Sequence, residues 1–280
     1  MISFQQQIAR VQPWWTRFRP TAHYLMQTEA HVYALAVAAS VLLAFYPFLM
    51  VMLSFCRDVL HWPAAIDAIY VGLRDFYAGE PGGFLVRNLQ PWMVPQLHLT
   101  SMLLLLFTAN GIFEPLEVAL NRAWGVTKNR SYLKNQLISL GLIFACGGLA
   151  LVSLMLTAKN TSWISGMSSS TMAGWLQVMI FKLAAIPVSM LALFLVYWLL
   201  PNRPVQPRRV APVAITVGLV LEALKYVNHL ISPFLAAKLK REYEPFQFSV
   251  TILLWSFVSA MIVLAGAHWT ARRDQRDPLS

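Results

Sequence analysis

Six apolar runs, each long enough to cross a bilayer, divide the chain at about 31–55, 99–121, 136–157, 174–200, 210–231 and 247–270. A membrane-spanning helix needs roughly 20 mostly apolar residues in succession. The pattern therefore predicts an all-α polytopic membrane protein with six transmembrane helices and short amphipathic interfacial helices beside them. On this reading residues 1–30 form a basic, amphipathic cytoplasmic segment, 31–270 a single six-helix transmembrane domain, and 271–280 a basic cytoplasmic tail.

The polar breaks have patterns of their own. Before span one, Arg10, Arg17 and Arg19 interleave with Trp14, Trp15 and Phe18, a mixture suited to the headgroup level of a membrane. The longest break, residues 56–98, carries Ile66, Ile69, Tyr70, Leu73, Phe76 and Tyr77 at helical spacing, with Asp67, Arg74 and Asp75 off that stripe. It predicts an amphipathic helix that lies on the outer surface or caps the bundle, stopped by Gly79, Pro81, Gly82 and Gly83. Residues 158–173 predict a short outer loop, and 232–246 a second interfacial segment outside. Pro47 and Pro187 interrupt spans one and four, whereas Pro212 sits in the first turn of span five, where proline is acceptable.

Span two is the least ordinary. Asn110, Glu114, Glu117 and Asn121 follow one another at steps of four, three and four, so all four share one helical face. Pro115 falls among them and leaves the Gly111 carbonyl without its helical donor. In lipid such a face requires protein or water against it.

Charge refines this picture through its location. The chain is 58% hydrophobic and 12% charged, against about 25% charged for a soluble domain. The N-terminal segment, the 122–135 and 201–209 loops and the tail hold 13 Lys/Arg against three acids, Glu29, Asp274 and Asp277. The other three breaks hold seven Lys/Arg against six acids. This asymmetry places both termini in the cytoplasm. It accounts for the net charge of +10 without nucleic acid. Cys56 and Cys146 lie at different depths and argue against a disulfide framework. The first apolar run is too long for the core of a cleaved signal, so span one is expected to remain as an anchor.

Two chemical readings attach to the span-two carboxylates Glu114 and Glu117: the lining of a polar pathway or headgroup site, or a structural cluster that fixes helix register. In span five, Glu222 and Lys225 are three residues apart and can pair within one helix. Glu114 is a poor partner for Lys225, because their depths differ by ~13 Å at 1.5 Å per residue. Glu114 and Glu117 are then expected to be neutral, hydrated, or met from the cytoplasmic side by a cation such as Arg122 or Arg203. The candidate pathway residues are thus Asn110, Glu114, Glu117, Asn121, Arg122, Glu222 and Lys225. No nucleophile elbow, phosphate loop or metal-ligand spacing is present, so no catalytic residue, metal or cofactor is expected.

The stretch GIFEPLEVALNRAWGVTKNRSYLKNQ, residues 111–136, is the most specific in the chain, and Pro47, the Glu222 and Lys225 pair, Trp255, and Gly266 with Ala267 add to it in order and spacing. On these residues the chain resembles the YihY/BrkB family of bacterial inner-membrane proteins over roughly residues 30–270. Ala44, Glu244 and His268 depart from a serine, a glycine and a glutamate common in the family. The resemblance implies a six-helix protein of the bacterial inner membrane, in a family once mislabelled as ribonuclease BN and without an established activity. It favours transporter-like handling of a lipid or amphiphilic envelope substrate, with membrane lipids as partners and no nucleic acid. A non-transporting envelope scaffold is the alternative, and a hydrolase or ribonuclease comes third. The oligomeric state is open.

Overall fold

The computed structural model describes residues 14–26, 28–76, 99–126, 130–166, 172–243 and 246–276. Most of these residues are helical, with no strand among them. The helices are α1 (Trp14–Leu25), α2 (Thr28–Ser54), α3 (Pro63–Phe76), α4 (Leu99–Ala123), α5 (Tyr132–Gly166), α6 (Met172–Leu199), α7 (Pro207–Tyr243) and α8 (Gln247–Arg276). Among the described residues, four segments are long and apolar enough to cross a membrane: Glu29–Val59, Leu133–Ser153, Pro207–Tyr243 and Gln247–Ala271. In α6, whose side chains are described from residue 186 onward, Ile186–Leu199 is a further apolar stretch. Residues 1–13, the 77–98 stretch with its predicted Gly/Pro stop, and 277–280 lie outside the described residues.

Packing follows the apolar stripes. Helix α2 packs on α4 and α8, α5 on α6 and α4, and α7 on α6 and α8. The central core joins Val37 of α2, Phe113, Leu116 and Leu120 of α4, Leu142 of α5, Tyr197 of α6, Val213 of α7 and Leu264 of α8. Helix α2 runs into a π-helical turn at Phe55–Val59, and His61, at φ 49°, breaks the helical course before α3. Pro63 opens α3 at the first helical position, where its missing N–H has no partner to lose.

The amphipathic helix expected in the 56–98 break is α3, and it caps the bundle. Ala65, Ala68, Ile69 and Leu73 are buried against a cluster that includes Cys56, Leu151, Met155, Phe248 and Ile252. Its buried stripe is rotated toward two alanines that a search for large apolar residues passes over.

Two segments expected to lie outside differ from that expectation in form. The 232–246 segment is not a separate interfacial piece: α7 continues through Pro233 to Tyr243. Proline removes one backbone donor, and the LAAKLK run that follows is rich in strong helix formers. The 158–173 stretch likewise contributes to helix, because α5 extends to Gly166; residues 167–171 lie outside the described ones. At 37 residues α7 is about 55 Å long, well beyond a hydrocarbon core of about 30 Å.

Candidate functional site

The polar residues of span two divide between core and surface. Phe113, Leu116, Glu117, Leu120, Asn121 and Trp124 are buried, at steps of three, one, three, one and three along α4. That is the buried stripe of an α-helix, and it overlaps one edge of the polar face. Glu117 and Asn121 are only 5% and 4% exposed. Asn121 Nδ2 donates to Glu117 Oε1 at 3.4 Å, and Asn121 Oδ1 accepts the backbone N–H of Asn202 at 2.8 Å. Glu114 is exposed. Asn110 lies within α4, and its side chain is outside the described ones.

Asn121 therefore fastens the end of α4 to the turn between α6 and α7, and two more contacts hold the same turn. Arg130 Nη2 donates to the carbonyls of Leu199 and Pro201, at 3.0 and 2.6 Å. The Arg203 guanidinium stands 6.0 Å from the centre of the Trp124 ring. Local sequence explains how Trp124 and Arg130 reach this place. Gly125 adopts φ 66°, its N–H bonding to Arg122 O while the Val126 N–H bonds to Asn121 O. This closes α4 in a Schellman turn, for which glycine has no steric penalty, and sends the chain back toward α5.

Arg122 pairs outside the predicted set. Its Nη2 lies 2.9 Å from Glu29 Oε1 and its Nη1 donates to the Tyr33 hydroxyl at 3.4 Å. Both partners belong to the first turns of α2. Beside them the Tyr24 ring of α1 stacks on His268 of α8, with centroids 4.6 Å apart and planes 7° from parallel. His268 Nδ1 lies 3.3 Å from Thr21 Oγ1. Burial, with Tyr33 and Glu29 nearby, raises the Tyr24 phenol above its ordinary value against the lowering effect of Arg122. Together these contacts form a polar ring where α2, α5 and α7 begin and α4, α6 and α8 end.

On α7, Lys225 Nζ lies 2.7 Å from Glu222 Oε2, the intrahelical pair that their spacing predicts. The structure thus joins Glu117 to Asn121 and Glu222 to Lys225, while Arg122 turns to Glu29. Sequence reading passed over Tyr24, Tyr33, Asn202, Arg130 and Trp124 as site residues. His268 stood out only as a departure from a family pattern. Between α2 and α5, a groove of about 220 Å³ is lined by apolar side chains, including Phe48, Val51, Phe55, Phe144 and Leu151. Among the described residues no group of three or more His, Cys, Asp or Glu is positioned to hold a metal.

Long apolar helices and polar contacts gathered at their ends define an α-helical integral membrane protein. A family model described as Virulence factor BrkB matches residues 22–279, and the chain belongs to that family. It is similar to the ribonuclease-like protein YfkH of Bacillus subtilis (strain 168), 25% identical over 251 residues that cover 85% of this chain and 88% of the relative. No solved structure matches it.

Proposed function

We propose that this protein spans a bacterial inner membrane six times, with both termini in the cytoplasm, and handles a lipid or amphiphilic envelope substrate in the manner of a transporter. The observation that carries this reading is the Glu222–Lys225 pair. Its side chains are 22% and 51% exposed in a helix apolar enough to span. A charge at the centre of a span costs at least about 2.5 kcal/mol. Pairing offsets part of that cost, and a half-exposed pair calls for water or a polar headgroup beside it. Exposed Glu114 supports the same reading, and the apolar groove between α2 and α5 suits the tail of an amphiphile.

The test is water accessibility of single cysteines at 114, 222 and 225, combined with movement of a fluorescent phospholipid across proteoliposomes. Transport predicts labelling of all three and lipid movement that Lys225→Gln abolishes. Unlabelled positions together with no lipid movement would refute it. Reporter fusions after residues 165 and 205 should read outside and inside respectively, and the opposite result would overturn the topology.

A scaffold is the second reading, favoured by the dry Glu117–Asn121–Asn202 contact in place of a wet face on span two. The ribonuclease-like name belongs to the Bacillus relative. For this chain we place a hydrolytic activity third, since no described constellation supports one.

A further inference from the structure

The α6–α7 turn presents a different kind of site, one that does not depend on transport. Trp124 is 7% exposed, and its indole N–H is buried with no acceptor among the described residues. Arg130 spends Nη2 on two carbonyls of the turn, while its buried Nη1 has no acceptor among the described residues. A buried donor left unpaired is costly, the more so on a cation. Both donors border the same five-residue turn, 199–203, because Arg203 stands over the Trp124 ring. The 122–135 and 201–209 loops contain seven Lys/Arg and no acid. Arg208 follows Pro207 in the first turn of α7, the positive end of that helix, which disfavours a cation unless an anion lies beside it.

We propose that this turn binds the phosphate of an anionic phospholipid, held by the Trp124 indole N–H, Arg130 Nη1 and the guanidinium groups of Arg203 and Arg208. Phosphate oxygens are the acceptors both donors lack, and arginine forks match them in geometry. A lipid is favoured over a free anion by what adjoins the turn. Trp198 and Leu199 at the end of α6, and Leu133 and Leu137 in the first turns of α5, are exposed apolar side chains. They provide a surface for acyl chains below a headgroup held at the interface, the level tryptophan prefers.

The experiment uses the full chain in detergent micelles, titrated with phosphatidylglycerol, phosphatidylcholine or inorganic phosphate and followed by native mass spectrometry. Phosphatidylglycerol should bind and phosphatidylcholine should not. Trp124→Phe and Arg203→Gln should each weaken binding about tenfold, as the loss of one hydrogen bond to an anion implies. Equal binding of both lipids, or unchanged affinity in both variants, would overturn the proposal. So would displacement of the lipid by millimolar phosphate, which would identify a free-anion site. A second measurement needs no variant: phenylglyoxal modification of wild-type protein in nanodiscs. Phosphatidylglycerol should slow reaction at Arg203 and Arg208 more than at exposed Arg241 at the far end of α7. Equal slowing at all three would refute a built site.

Discussion

Replacing Gly266 with alanine tests the packing of α8. A β-carbon there would fall 2.6 Å from Tyr197 Oη and closer still to Val217 Cγ2. Ordinary contact begins near 3.4 Å, so both neighbours must recede. Tyr197 cannot do so freely, since it is fully buried and its hydroxyl donates to Val263 O at 2.7 Å. Overpacking costs about 1–3 kcal/mol and the strained hydrogen bond about 1 kcal/mol. The helix preference of alanine over glycine returns about 1 kcal/mol. The net is ~2 kcal/mol, which at roughly 2–4 °C per kcal/mol lowers the thermal midpoint by about 4–8 °C. The assay is thermal unfolding in detergent, with Gly148→Ala as the control because its β-carbon meets nothing within 4 Å. Adding Tyr197→Phe to Gly266→Ala should recover part of the loss by removing one clashing atom. A Gly266→Ala protein that melts with wild type, or a control that falls as far, would refute the reasoning.

Other expectations follow from the polar ring and from α7. Asn121→Ala leaves the Asn202 N–H without its acceptor and should destabilise by about 1–3 kcal/mol in the same assay. Arg122→Gln should leave the midpoint unchanged within error, because its ion pair with Glu29 is exposed and such pairs contribute little. His268→Ala removes the ring under Tyr24, so limited proteolysis should cut α1 faster while the bundle stays folded. Expression of charge swaps tests depth: Glu222→Lys with Lys225→Glu should recover what Lys225→Glu loses, and Glu114→Lys with Lys225→Glu should not.

The sequence carried the helices and the local pairs, since both depend on periodicity within one segment. Glu222 with Lys225 and the amphipathic α3 are legible for that reason. Burial of Glu117 beside exposed Glu114 was not. The two are about 60° apart around α4 at 100° per residue, and only the neighbours that cover α4 decide which edge is core. Asn121 was singled out but its partner was not, for a related reason: that partner is a backbone N–H 81 residues away, which leaves no mark in side-chain pattern. The length of α7 was hidden by the end of the apolar run at residue 231, since the helix formers beyond Pro233 outweigh the one missing bond and carry the helix on. Arg130 was visible as a charge, but its part in closing the end of α6 follows from a turn that the sequence does not locate in space.

That closure has a mechanical consequence. With Arg130 fastened to Leu199 and Pro201, and Asn121 to Asn202, the near ends of α4, α5, α6 and α7 are tied into one joint. A rearrangement that keeps these bonds cannot spread the helices there. It has to swing them about the joint, as the arms of tongs swing about a rivet, and the widest displacement falls at the opposite end. Pro115 in α4 and Pro187 in α6 each remove one backbone bond partway along an arm, the places where such a swing would bend rather than break the helix.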